Sequence, residues 1–174
     1  MNQALRPCHR IPTLIAVLAL CACGTDTGLG PGPTGAGDAQ TPPAGDAALS
    51  AWLASGVYKG WSCESGPMDA RPHGAHGRNR VCSNDLMARH GSGEYPVGAA
   101  AVKELFDGGG TVIGHAVSRH VKAGNTADSW YWYEANPRVV ADGLGAGICD
   151  GCHRQAGGGS FQGHDFVFVQ VPPR

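Results

Sequence analysis

The sequence predicts an α+β fold, built predominantly from an antiparallel β-sheet with a few short helices. Glycine accounts for 28 of the 174 residues, and only 16% of residues are charged. This composition suits a loop-rich domain of strands better than a helical bundle. Short apolar segments also alternate with Gly-, Pro- and Asn-containing stretches, which is the pattern of strands joined by tight turns.

The first 47 residues are predicted to lie outside the folded domain. Residues 1–23 resemble an export signal peptide, because Arg6 and Arg10 precede an apolar core over 11–20 that is too short to span a bilayer. Residues 24–47 are rich in Gly, Pro, Thr and Ala and lack large apolar side chains, so they are predicted to form a disordered linker. The folded domain is therefore expected over residues 48–174.

The end of the signal segment resembles a bacterial lipobox. In Leu20-Cys21-Ala22-Cys23 a small residue directly precedes Cys23, which makes Cys23 the predicted lipidation site. Ordinary cleavage of the signal without lipid is the alternative. A lipidated Cys23 would anchor the chain to a membrane without spanning it, so the protein is expected to be exported and to sit on the periplasmic side of a bacterial membrane.

Residues 48–174 carry both helical and strand patterns. Leu49, Trp52 and Leu53 recur at helical spacing, so a short amphipathic helix is predicted over residues 48–58. A loop rich in Pro, Gly, His and Arg is expected over residues 66–80. A strand at 80–82 is predicted to leave this loop, followed by a helix at 86–90 that is capped by residues 83–85. Further strands are predicted at 99–106, 111–121 and 130–134, with a closing strand at 166–171.

Two cysteines in the middle of the chain form an even pair. Because the protein is predicted to be exported, a disulfide between Cys63 and Cys82 is the first interpretation. Closing a loop of this size would stabilise the fold by about 3 kcal/mol in the chain-entropy model. The alternative is a free thiol pair or a metal site that includes His73 and His76, which lie between the two cysteines.

The most specific motif lies near the C-terminus, where Cys149-Asp150-Gly151-Cys152-His153 has the spacing of a c-type haem attachment site. Cys149 and Cys152 would form thioethers with the two vinyl groups of one covalent haem c, and His153 would be the proximal ligand of the iron. A redox dithiol or half of a zinc site is the alternative. A dithiol is expected at the start of a helix that follows a strand, and a zinc site needs a second ligand pair. The sequence predicts neither context.

Several segments resemble, in the same order, the cytochrome P-460 and cytochrome c′-beta family, which are mono-haem c-type cytochromes with a β-sheet fold. Together these segments cover roughly residues 48–171. They are His73-Gly74, Arg80-Val81 with Asn84, Tyr95-Pro96-Val97-Gly98, Val102-Lys103-Glu104-Leu105, Trp130-Tyr131-Trp132-Tyr133, the haem motif, and His164-Asp165-Phe166-Val167-Phe168. The resemblance implies a haem that lies on the sheet.

The resemblance also implies roles for residues outside the haem motif. Lys103 matches the lysine that is bonded to the porphyrin edge in the hydroxylamine-oxidising members, although most lysines on a strand are ordinary surface residues. Those members use a distal carboxylate in the following strand, and residues 113–120 contain no Asp or Glu. His115 or His120 could replace this base or ligate the iron, and both could equally be ordinary strand residues.

The expected function follows from the sixth position of the iron. With that position open, the protein would bind or oxidise a small nitrogen ligand such as hydroxylamine or nitric oxide, and a hydroxylamine-oxidising activity would need an external electron carrier. With a histidine, Met68 or Met87 in that position, the protein would be a periplasmic electron-transfer cytochrome with six-coordinate haem. The formal charge of -1 gives no indication of nucleic-acid binding. A homodimer is a further expectation from the resemblance.

Overall fold

Six antiparallel strands form one sheet in the computed structural model of the chain, which describes residues 41–71 and 74–173. The order of the strands in the sheet is their order in the chain. The predicted α+β class with a predominantly antiparallel sheet is thereby confirmed. The strands are β1 (Ser62–Cys63), β2 (Asn79–Ser83), β3 (Ala100–Phe106), β4 (Val112–His120), β5 (Trp130–Ala135) and β6 (Val139–Leu144).

In the part of the chain that the structure describes, three short α-helices and two 3-10 turns accompany the sheet. The helix over Asp85–Ala88 is capped as predicted, because the Asn84 side chain accepts a hydrogen bond from the Met87 N–H at 3.0 Å. Within the described residues, no helix is both long enough and apolar enough to cross a membrane. The helices are α1 (Asp46–Ser55), α2 (Asp85–Ala88) and α3 (Gly147–His153), and the 3-10 turns are Val57–Gly60 and Ala127–Ser129.

Some predictions concern residues that lie outside the described part of the chain. These are the export signal over 1–23 with the lipidation site Cys23, the linker over 24–40, and the resemblance at His73. The part of the linker that is described is shorter than predicted, because α1 already begins at Asp46. The described residues all belong to one unit of the chain, Pro33–Arg174.

The closing strand predicted at 166–171 is wrong. Residues 165 and 166 have positive φ angles of 44° and 65°, which turn the chain, and only a single bridge between His164 and Val167 is formed. The apolar side chains of this segment pack against the face of the sheet and add no strand at its edge. That edge is β6, which the sequence does not predict because Asp142 and Gly143 are weak strand formers.

The predicted pairing of Cys63 and Cys82 is present as a disulfide. The two residues lie directly opposite each other on β1 and β2, and their Sγ atoms are 2.02 Å apart. Both side chains are buried in the cluster that forms beneath α1. The disulfide therefore joins the short edge strand β1 to the body of the sheet.

The strand register gives the sheet two different faces. The α1 face carries Val102, Val117 and Tyr133 in one cross-strand row, with Tyr131 beside them. These side chains pack against Leu49 and other residues of α1 in one buried cluster. Helix α1 is also fixed by polar contacts, since the hydroxyl of Tyr133 donates to Asp46 Oδ1 at 2.8 Å.

The opposite face of the sheet is covered by α3 and by residues 166–171. It carries alternate residues of the same strands, in the rows Ala101–Ser118–Trp132 and Lys103–Ala116–Glu134. A second buried cluster, which includes Trp130, Trp132 and Phe166, forms at one end of this face. We call this side of the sheet the cleft face, because the part of it outside this cluster is not filled by side chains.

Candidate functional site

A cleft that opens to solvent and encloses about 60 Å³ lies between the cleft face and α3. The polar or reactive side chains among its lining residues include His76, Lys103, Ser118, Trp132, Glu134, Cys149 and His153. The loop before β2, strands β3, β4 and β5, and helix α3 therefore meet at this cleft.

Small side chains on the sheet account for the empty space. Ala101 on β3 pairs with Ser118 on β4, and Ala116 separates Lys103 on β3 from Glu134 on β5. Side chains of this size leave the middle of the face without the apolar contacts that α1 receives on the other side. The sheet therefore provides a flat wall with polar side chains on either side of its centre.

Helix α3 places the haem-attachment motif on the wall opposite the sheet. Cys149 lies in the first turn of α3, and both Cys152 and His153 lie at its end. Cys149 and Cys152 are thiols in this structure. Burial raises the pKa of Cys149 to about 11, so its thiol is protonated at neutral pH.

His153 is held in one orientation and one tautomer. Its Nδ1–H donates to the carbonyl oxygen of Phe166 at 2.7 Å, and its ring lies 4.5 Å from the ring of Trp132. Burial lowers the pKa of His153 to about 4, so the ring is neutral at pH 7. The second nitrogen, Nε2, then carries no proton and has a free lone pair, as in the neutral imidazole that ligates metals.

The acceptor for His153 is supplied by an unusual turn. Asp165 and Phe166 are the two non-glycine residues with positive φ in the described chain, and they present the Phe166 carbonyl to the imidazole. The Asp165 side chain fixes this turn by accepting a hydrogen bond from the Tyr95 N–H at 2.7 Å. At Gly163 an added Cβ would lie 1.9 Å from the Val167 carbonyl oxygen, so the turn also requires glycine there.

Lys103 lines the cleft as the sequence interpretation requires. Burial, followed by the positive charge of Arg71, lowers the pKa of Lys103 to about 8. More of this amine is therefore unprotonated at neutral pH than for an exposed lysine. An unprotonated amine is the form that can act as a nucleophile.

Glu134 is a cleft residue that the sequence interpretation does not include, and His76 enters that interpretation only as a possible metal ligand beside Cys63 and Cys82. Glu134 Oε2 lies 3.5 Å from His76 Nδ1, and this contact lowers the pKa of Glu134 against the opposing effect of burial. Glu134 is therefore a carboxylate at neutral pH. Strict alternation along β5 would have indicated its position, because Trp130, Trp132 and Glu134 share one face.

The two predicted distal histidines do not reach the cleft. His115 lies on the α1 face in the same row as Glu104, and its Nε2 is 3.2 Å from the Tyr58 hydroxyl. His120 is fully buried at the end of β4, with its ring 4.9 Å from the ring of Trp130. Neither histidine lines the cleft beside His153.

The two methionines considered as iron ligands also lie away from the cleft. Met68 is 50% exposed, and Met87 is fully buried in the cluster around Tyr95. Neither side chain contributes to the cleft wall. Among the residues considered from the sequence, the structure thus brings Lys103, Cys149 and His153 together at one site.

The structure agrees with a redox dithiol in one respect and disagrees in another. Helix α3 directly follows strand β6, so the strand-to-helix context typical of redox dithiols is present, against the expectation from the sequence. A reactive dithiol cysteine has a lowered pKa, however, and burial raises the pKa of Cys149. The electrostatics of α3 therefore disfavour a redox dithiol, although its position in the fold does not.

The zinc alternative receives no support from the part of the chain that is described. No three His, Cys, Asp or Glu side chains of residues 41–71 and 74–173 are grouped so that they could hold a metal ion by themselves. A haem differs from such a centre, because the porphyrin supplies four nitrogen ligands and the protein needs to supply only one or two.

The residues of the cleft fit a covalent haem. Cys149 and the neutral imidazole of His153 lie on one wall, and small side chains leave space on the other. Cys152 belongs to the same helix but is not among the residues that line the cleft. The buried indole N–H of Trp132 also has no acceptor among the described residues. A buried donor without an acceptor is costly, and an oxygen-bearing group bound in the cleft would satisfy it.

Comparisons with models of protein families, with curated proteins and with solved structures each gave no match.

Proposed function

We propose that this chain is a c-type mono-haem protein of the cytochrome P-460 type, which binds or oxidises a small nitrogen ligand at the haem iron. The observation that carries the proposal is the position of α3. The helix presents Cys149 and a neutral, oriented His153 to a cleft whose opposite wall is made of small side chains. The choice of hydroxylamine or nitric oxide as ligand comes from the family resemblance.

Each wall of the cleft has its own role in this proposal. Cys149 and Cys152 would hold the porphyrin through thioethers, and Nε2 of His153 would ligate the iron. The haem, when bound, supplies ligand binding and one-electron chemistry. The Phe166 carbonyl would keep His153 in its tautomer, as hydrogen-bond partners of metal-bound histidines generally do.

Lys103 and Glu134 give the cleft the groups that oxidation of hydroxylamine would need. Lys103 is the proposed site of a covalent bond to the porphyrin edge, in which the amine nitrogen would replace a hydrogen of the ring while two protons and two electrons pass to an external oxidant. Its lowered pKa favours the reactive amine. Glu134 would accept a proton from the bound ligand, because it is ionised and lies at the cleft wall. It takes the place of His115 and His120 in this role.

The decisive experiment measures covalent haem on the full-length chain, produced in a bacterial host with a cytochrome c maturation system. We expect a mass increase equal to one haem that survives denaturation, and no such increase in the Cys149→Ser/Cys152→Ser variant. Binding of nitric oxide and hydroxylamine is then followed by absorption spectroscopy. A wild-type chain without covalent haem would overturn the proposal.

The roles of Lys103 and Glu134 are tested in the same holoprotein. If Lys103 is bonded to the porphyrin, Lys103→Ala shifts the reduced Soret band towards that of an ordinary haem c, whereas Lys122→Ala, at an exposed lysine, leaves the band in place. Glu134→Gln should lower the rate of hydroxylamine oxidation by about 100-fold, the range for loss of a general base. Unchanged spectra and rates would remove these two residues from the mechanism.

A further inference from the structure

We infer that His76 is the second axial ligand of the proposed haem, so that the resting iron is six-coordinate and a small ligand binds by displacing this histidine. The inference rests on the proposed function and adds a regulatory element to the same site. It concerns a residue for which the sequence suggested only a minor role in a metal site.

The separation of the two histidine rings carries the inference. The ring centres of His76 and His153 are 6.3 Å apart, and the ring planes are inclined at 62°. Two imidazoles that bind one metal from opposite sides, each at a metal–nitrogen distance of about 2 Å, have ring centres about 6 Å apart. The two histidines are therefore spaced as axial ligands of one iron are spaced.

The polar surroundings of both rings support the same assignment. His153 uses Nδ1 to donate to the Phe166 carbonyl, and His76 Nδ1 faces Glu134 Oε2 at 3.5 Å, which is an electrostatic contact without hydrogen-bond geometry. A metal-bound histidine typically turns its other nitrogen towards a carbonyl or a carboxylate. We assign Nε2 of each ring to the iron.

The other described histidines are engaged elsewhere. His164 stacks on Tyr95 at a centre-to-centre distance of 4.7 Å, and the tilted ring of His90 contacts Tyr95 at 4.6 Å. His115 contacts Tyr58 on the α1 face, and His120 packs on Trp130. In the described part of the chain, His76 is thus the histidine that shares the cleft with His153.

The loop that carries His76 is fixed to the start of β2. The Asn79 side chain donates to the carbonyl oxygens of His76 and Gly77, at 2.9 Å and 2.7 Å. Asn79 itself is 3% exposed, so this anchor is part of the buried structure. The histidine is consequently held at the cleft by the sheet, although it lies more than seventy positions before His153 in the chain.

Ligation by His76 would compete with the binding of a small ligand to the iron. A ligand such as nitric oxide would bind only the fraction of molecules from which His76 has dissociated, so its apparent affinity is reduced by that fraction. The same six-coordinate state is the one that suits electron transfer. His76 therefore decides how far this haem acts as a carrier and how far as a ligand-binding site.

The test compares ferric holoprotein and its His76→Ala variant by absorption and electron paramagnetic resonance spectroscopy. We expect a low-spin, six-coordinate spectrum for the wild type and a high-spin spectrum for His76→Ala. Added imidazole should restore the low-spin spectrum of the variant, and nitric oxide should bind to the variant at least about tenfold more tightly. His115→Ala is the matched control and should stay low-spin.

The outcomes separate this inference from the proposed function. A high-spin wild type, or a His76→Ala variant that stays low-spin, would refute the role of His76 and leave the haem assignment intact. Absence of covalent haem in the wild type would refute the proposed function itself. If His76→Ala fails to accumulate, His76→Met is used, for which retention of the wild-type low-spin signature would count against ligation by His76.

Discussion

The two faces of the sheet differ in the side chains that alternate along the same strands. On the α1 face, large residues such as Tyr131, Tyr133 and Val117 fill the space beneath α1. On the cleft face, Ala101, Ala116 and Ser118 occupy the neighbouring positions of β3 and β4 and leave a cleft.

The polar groups do not separate the two faces in the same way. On the α1 face, the buried Glu104 accepts a hydrogen bond from the Tyr58 hydroxyl at 2.7 Å, but Arg119 Nε is buried without a hydrogen-bond partner among the described residues. On the cleft face, the Trp132 N–H likewise has no acceptor among the described residues. The filled space beneath α1 and the open cleft on the other side therefore assign stability to the α1 face and binding to the cleft face.

The largest effect is expected from filling the cleft. Ala116→Leu places a larger side chain at the centre of the cleft wall. We therefore expect the purified variant to contain only a small fraction of the covalent haem found in the wild type. Mass spectrometry of the denatured protein measures this content. Ala116→Ser changes the volume little and should retain haem. Normal haem content in Ala116→Leu would show that the cleft is not the haem site.

Truncation of a core side chain on the α1 face should lower the stability of the protein and leave its haem unaffected. Leu49 is fully buried beneath the sheet, so Leu49→Ala is expected to lower the free energy of unfolding by about 2–5 kcal/mol. The haem spectrum should not change, because α1 lies on the other side of the sheet. Denaturant titration measures the loss. The control Leu86→Ala, at a residue that is 45% exposed, should change the stability by less than about 0.5 kcal/mol.

Removal of the disulfide tests the same face at the edge of the sheet. The variant Cys63→Ala/Cys82→Ala should lower the free energy of unfolding by about 3 kcal/mol, because the unfolded chain loses a cross-link between residues 19 positions apart. Denaturant titration in oxidising buffer measures this loss, and the wild type with reductant should approach the variant. Equal stabilities of oxidised wild type and variant would contradict the role of this disulfide.

The smallest effect concerns pH. Burial lowers the pKa of His115 in the folded protein, so below about pH 6.5 the unfolded chain binds a proton that the folded chain does not. Its contribution to stability is therefore complete above this pH and is lost as the pH falls towards the folded-state pKa. In His115→Asn the decline in unfolding free energy between pH 7 and pH 5 should be shallower. An identical slope in both proteins would show that another group dominates.

Local signals made much of the fold predictable. The alternation in β3, β4 and β5, the spacing of apolar residues in α1 and the cap at Asn84 all lie within a few residues of the structure that they specify. Residues 166–171 have the same apolar character as a strand, but the turn at Asp165 and Phe166 directs them across the sheet. Such a difference depends on tertiary packing, which a short window cannot contain.

The candidate site was predictable only in part, for a related reason. Cys149, Cys152 and His153 form a contiguous motif, so the sequence alone identifies them. His76 and Glu134 reach the cleft through the loop before β2 and through the register of β5. These two residues can be recognised as cleft residues only when the positions of side chains along each strand are combined with the pairing of three strands.

The agreement between strand order and chain order has a consequence for how the molecule folds. Each strand pairs with its immediate predecessor, so the sheet forms through contacts of short sequence separation, which favour rapid folding. Helix α1 is different, because the Gly45 N–H donates to the Tyr131 hydroxyl and the Asp46 N–H to Asp142. It can dock only after β5 and β6 are in place. The segment that carries the thiols follows all six strands in the chain, so it is synthesised after the wall of small side chains.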